Sequence, residues 1–104
     1  MEITAEQFSQ IVESMIEAGD IDENAIRTDY SGRGMYGKEC LGVTVDNPFS
    51  FMFRFGYSLA ENQCYAHGGL PEALIDTLME GARQDAMGFG SIVYWPGLTV
   101  EVAA

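Results

Sequence analysis

The sequence predicts a single small α+β domain over residues 1–104, with a short antiparallel sheet of about three to four strands packed against two to three helices. Three observations lead there. A chain of 104 residues has room for one domain. Its hydrophobic fraction of 47% suits a folded core, since a chain this size buries about two-thirds of its unfolded surface. Stretches of helical periodicity alternate with period-two runs, without repeats, linkers or low-complexity tracts.

The elements follow in order. Thr4 stands as a helix N-cap, Gln7 completes a capping box, and Ile3 with Phe8 forms a hydrophobic staple. Phe8, Ile11, Val12, Met15 and Ile16 then share one face, and Gly19 is a natural C-cap. "AIRTDY" and "ECLGVTV" read as strands, the second with Leu41, Val43 and Val45 on one face. A glycine-rich loop joins them as a hairpin, and Asp46-Asn47-Pro48 ends the second strand.

"FSFMFRFGYSL" fits two patterns. Phe49, Phe51, Phe53, Phe55, Tyr57 and Leu59 alternate as in a strand. Asn47 and Pro48 make an N-cap and first-turn pair, and the polar "AENQ" suits a helix end. The balance tips to a helix, with Phe49, Met52, Phe53, Gly56 and Leu59 as its apolar face, and the strand stays open.

Pro71 opens a further helix with Leu74, Ile75, Leu78, Met79 and Ala82 as its buried stripe and Glu72, Asp76 and Glu80 on a solvated face. "MGFG" breaks it after Ala86. "SIVYW" is a strand, Pro96-Gly97 a turn, and "LTVEV" a last alternating segment. The aromatic strand end "VYW", read as exposed, leaves room for a homodimer.

Charge bounds the function. Sixteen acids against five bases give −11, which argues against direct contact with nucleic acid or anionic lipid. Residues 1–24 carry seven acids and no base, whereas residues 25–60 hold Arg27, Arg33, Lys38 and Arg54 against three acids. No apolar run reaches the roughly 18 residues of a membrane span. "MEITAEQFSQ" has neither the basic start nor the apolar stretch of a signal peptide, so the expected location is the cytoplasm. Cys40 and Cys64 are then expected as reduced thiols. Cys64 and His67 have half the spacing of a zinc site, but no second histidine completes it, so no metal or other cofactor is expected.

One stretch stands apart, "YSGRGMYGKE". Gly32-Arg33-Gly34-Met35-Tyr36-Gly37 matches G-x-G-x-x-G, but a dinucleotide fingerprint needs a helix after it, and here a strand follows. A kinase glycine loop lies between strands, yet the catalytic-loop and D-F-G signatures are missing. What survives is physical. Successive glycines bring backbone amides close to an anion, Arg33 offers a bidentate fork, and Tyr30 and Tyr36 supply flat faces. The same residue types suit a protein contact, and a glycine-rich tip with one arginine also suits a plain tight turn. "ARQDAMGFG" repeats the theme with Arg83 and Asp85, so Arg33 and Arg83 make one cationic pocket if the two turns share an edge; salt bridges to Asp29 or Asp85 are the plainer alternative. The candidate binding set is therefore Tyr30, Ser31, Gly32, Arg33, Gly34, Met35, Tyr36, Gly37, Lys38, Arg83 and Asp85. No nucleophile, base or metal set marks an enzyme.

"YSGRGMYGKECLGV" and, more weakly, "ARQDAMGFGSIVYWPG" resemble motifs of small uncharacterised proteins encoded by phages and prophages. The resemblance carries no catalytic residue. It implies a context, in which small acidic phage proteins without an enzyme signature bind and disable a host component, defence systems included. Taken with the residue types of the loop, the leading expectation is a non-enzymatic anti-defence protein in the host cytoplasm that grips a nucleotide-like anion with the Gly-Arg-Gly loop. The alternative is an acidic nucleic-acid mimic that inhibits a host defence protein of the anti-CRISPR or anti-restriction target type by protein contact, with steep salt dependence.

Overall fold

The structure is a computed structural model that describes residues 1–19, 21–31, 38–65, 69–87 and 90–101, with the side chains of residues 63–65 and 86–87 outside that description. Three helices cover one face of a four-stranded antiparallel sheet, and a small parallel strand pair stands beside it. The chain is a mixed α+β fold, as its periodicities imply.

β1 (Glu2–Ile3) leads into α1 (Ala5–Gly19). The capping box is reciprocal: Gln7 N donates to Thr4 Oγ1 at 3.1 Å, and Thr4 N donates to Gln7 Oε1 at 3.0 Å. Ile3 is buried and Phe8 half-buried against the same core. The buried face of α1 is Ile11, Ser14, Met15 and Ala18, while Ile16 is exposed. That rotation has a cause. Ser14 and Glu17 face α2 (Pro48–Tyr65), where Ser14 Oγ accepts from Asn62 Nδ2 at 2.6 Å and Glu17 Oε2 accepts from Ser58 Oγ at 2.8 Å. At Gly19 an added Cβ would lie 2.7 Å from a Phe51 ring carbon, so the glycine is needed for close helix packing.

A short 3-10 turn at Glu23–Ala25 precedes β2 (Ile26–Tyr30), which pairs antiparallel with β3 (Cys40–Val45). α2 confirms the helical reading of 49–59, since Ser50 N donates to Asn47 Oδ1 at 3.0 Å as the N-cap requires. Its buried face differs from the expected one. Phe51, Phe55 and Leu59 are buried, whereas Phe49, Phe53 and Tyr57 are exposed. Residues two apart on a helix are about 200° apart, so an alternating aromatic run wound as a helix makes two opposite stripes, and only one can face the core.

α3 (Glu72–Glu80) ends six residues earlier than the sequence suggests. Gly81 N donates to Thr77 O at 2.8 Å, and the buried Trp95 Nε1 donates to Leu78 O at 2.8 Å, satisfying two carbonyls of its last turn. The following residues form β4 (Arg83–Met87), paired with β5 (Gly90–Trp95), because an open edge of the sheet takes up their backbone groups. Local helix propensity yields to that ladder.

The strand order is β2-β3-β5-β4. β5 is therefore interior, and the "VYW" end expected to be exposed is buried: Val93 and Trp95 are at 0% and Tyr94 at 9% exposure. Gly97, at φ +83°, makes the turn into β6 (Thr99–Val100), which lies parallel to β1. Leu41, Val43, Val45, Val93 and Trp95 form the inner face of the sheet, packed on Ile11, Met15, Phe51, Phe55, Leu74 and Leu78.

Candidate functional site

The outer face of the sheet carries no helix residue in its own small cluster, which consists of Cys40, Ile92 and Tyr94 with Tyr30 packed against them. Register explains the grouping. Tyr30 stands opposite Cys40, Gly42 opposite Tyr94, Arg83 opposite Tyr94 and Asp85 opposite Ile92, so these residues share one side of the pleat.

Tyr30 crosses that face. Its Cβ lies 3.0 Å from where a Cβ on Gly42 would stand, so any larger residue in β3 would push Tyr30 outward by a few tenths of an ångström. The ring meets Tyr94 at a centroid distance of 5.0 Å, and its hydroxyl donates to Asp85 Oδ2. One edge strand is thereby tied to the other. Burial, then the bond to Asp85, pushes the Tyr30 phenol up to about 12. Burial also pushes the Cys40 thiol up, against a backbone hydrogen bond from Trp95 that acts the other way. A thiol held protonated is a poor nucleophile.

Of the eleven residues nominated by sequence, the structure brings Tyr30 and Asp85 into contact and sets Arg83 on the same face, exposed to solvent. Ser31 and Lys38, both exposed, flank the loop. Gly32, Arg33, Gly34, Met35, Tyr36 and Gly37 lie outside the described residues, and with them the pairing of Arg33 and Arg83. Asp29 takes part in an exposed ion pair with Arg27 at 3.6 Å, and Asp85 serves Tyr30. The Cys64–His67 spacing also falls outside the described side chains. Among the described residues no group of three or more histidine, cysteine, aspartate or glutamate side chains is arranged to hold a metal, and no helix is long and apolar enough to cross a membrane.

Sequence reasoning missed Gly42, Tyr94 and Cys40 as the floor of this face. Register alone reveals them, because each reads as ordinary strand composition. It also missed the exposed stripe of Phe49, Phe53 and Tyr57, whose signal was present as apolar residues at every second position of a helix. Beside that stripe, an open groove of about 410 Å³ is lined by Glu17, Phe53, Arg54, Tyr57, Ser58 and Glu61 among others. Comparison with protein-family models, with curated proteins and with solved structures finds no match for this chain.

Proposed function

We propose that this chain is a non-enzymatic binding protein whose working surface is the face of the sheet that carries Tyr30, Arg83 and Asp85, acting with the Gly-Arg-Gly stretch that joins β2 to β3 in sequence, and that its ligand is a nucleotide-like anion. One observation supports the reading above others. Tyr30, from one of the two segments singled out by composition, and Arg83 and Asp85, from the other, share that face, with Tyr30 bonded to Asp85 and Arg83 free to reach solvent beside them. Arg83 offers a guanidinium fork for a phosphate, and the Asp85 charge is partly answered by the tyrosine hydroxyl. The protonated Cys40 thiol supports binding over covalent catalysis. With the phage-protein resemblance, the ligand class becomes the nucleotide signals of host defence, and the action is sequestration.

Thermal-shift or native mass spectrometry screening against cyclic dinucleotides, cyclic ADP-ribose-type molecules and mononucleotides tests this. A ligand at a hundred times its Kd stabilises by about 2.7 kcal/mol. The expected result is one such shift, lost in both Arg33→Ala and Arg83→Ala. No shift with any nucleotide refutes the reading.

A second reading, an acidic inhibitor acting by protein contact, is favoured by Glu6, Glu13, Glu17, Asp22 and Glu23, all exposed in the first quarter of the chain. Its signature is capture of a DNA-binding protein that weakens steeply with salt.

A further inference from the structure

From the outer face of α2 we infer a docking surface for a basic amphipathic segment of another protein, separate from the sheet face and independent of the nucleotide reading. Phe49, Phe53 and Tyr57 are 83%, 70% and 68% exposed. Their spacing of four places them in one row, and the Phe53 and Tyr57 rings stand 6.4 Å apart. At about 150–250 Å² per aromatic side chain, this row leaves on the order of 400 Å² of aromatic surface in water. That matches the largest apolar patch of a typical monomer, which is often functional.

The surroundings of the row specify the occupant. The groove beside Phe53 and Tyr57 is lined by Glu17 of α1 and by Glu61, four residues beyond Tyr57 on α2 itself, and Glu13 lies one turn before Glu17, exposed. The Ser58 hydroxyl, 2.8 Å from Glu17 Oε2, holds that carboxylate against the groove. Arg54 also lines the groove and opposes a basic occupant locally, but among the described lining residues two carboxylates stand against this one guanidinium. An apolar ridge flanked by lysines or arginines therefore meets aromatic rings bordered by carboxylates on the α1 flank and at the end of the row, in the helix-in-groove manner. A second copy of this chain fits poorly. Each copy carries −11, and a stable dimer needs about 800 Å² per partner, roughly twice this row.

The test uses the full chain and a fluorescein-labelled leucine–lysine amphipathic peptide, with its leucine–glutamate counterpart as control, read by anisotropy. The lysine peptide is expected to bind and the glutamate peptide to fail. Phe53→Ser with Tyr57→Ser should weaken binding by about tenfold or more. Glu17→Gln with Glu61→Gln should weaken it and flatten its salt dependence, while Arg83→Ala leaves it unchanged. Near-ultraviolet circular dichroism of Trp95 verifies that each variant is folded. Three results overturn the inference: no binding of the lysine peptide, binding indifferent to the two serine substitutions, or a dimer of the free chain that the same substitutions dissociate.

Discussion

The bond between Tyr30 and Asp85 ties the two edge strands of the sheet together, so its removal should be measurable. Tyr30→Phe keeps the ring over Gly42 and against Tyr94 and deletes only the hydroxyl. A hydrogen bond to a charged acceptor contributes about 1.5–3 kcal/mol when buried. Here the pair is half-buried and water recovers part of the loss, which leaves about 1 kcal/mol. Asp85→Ala should cost a similar amount, and Asp85→Asn less, because an amide oxygen still accepts. The double mutant should cost little more than either single change, a coupling of about 1 kcal/mol in a urea-unfolding cycle followed by Trp95 fluorescence. A coupling below about 0.3 kcal/mol would refute the idea that this bond ties the edges. The pH dependence has a definite sign. The phenol ionises at about 12 in the folded chain against 10.0 when unperturbed. Its contribution is therefore whole below pH 10 and is lost as pH rises towards 12. In an ultraviolet titration one of the five tyrosines should ionise late, and Asp85→Asn should bring it down.

Trp95→Phe removes the donor to Leu78 O and about three ring atoms from a fully buried site; the orphaned carbonyl and the void together should cost about 3 kcal/mol by urea unfolding followed at 222 nm. Phe55→Ala should cost about 3–5 kcal/mol, whereas Phe53→Ala, two residues away on the opposite stripe, should stay within about 0.5 kcal/mol; equal losses would contradict the assigned faces of α2. In a Cys64→Ser background, Cys40 should react with a disulfide reagent only as fast as the chain opens, because its thiol is buried and held protonated.

By itself the sequence determined what short-range chemistry decides. Thr4 and Gln7 start α1 and Asn47 and Pro48 start α2, since a cap acts within one turn of its own residue, and Pro71, without a side-chain cap bond, marks the start of α3 through its fixed φ and its carbonyl. The alternation of Leu41, Val43 and Val45 likewise revealed a strand face before any partner was known. The candidate site was visible only in part. Arg83 and Asp85 stood out by composition, yet they read as the tail of a helix, because nothing nearby tells a chain that a sheet edge is waiting for its backbone. Tertiary structure alone decided that α3 stops at Glu80, where Trp95, fifteen residues on, takes a carbonyl of its last turn. It alone decided which stripe of α2 meets the core, because both are equally apolar and only the position of the sheet distinguishes them. The joining of Tyr30 to Asp85 across Gly42 is of the same kind. It depends on strand register over fifty-five residues of separation, a distance at which sequence periodicity carries no information.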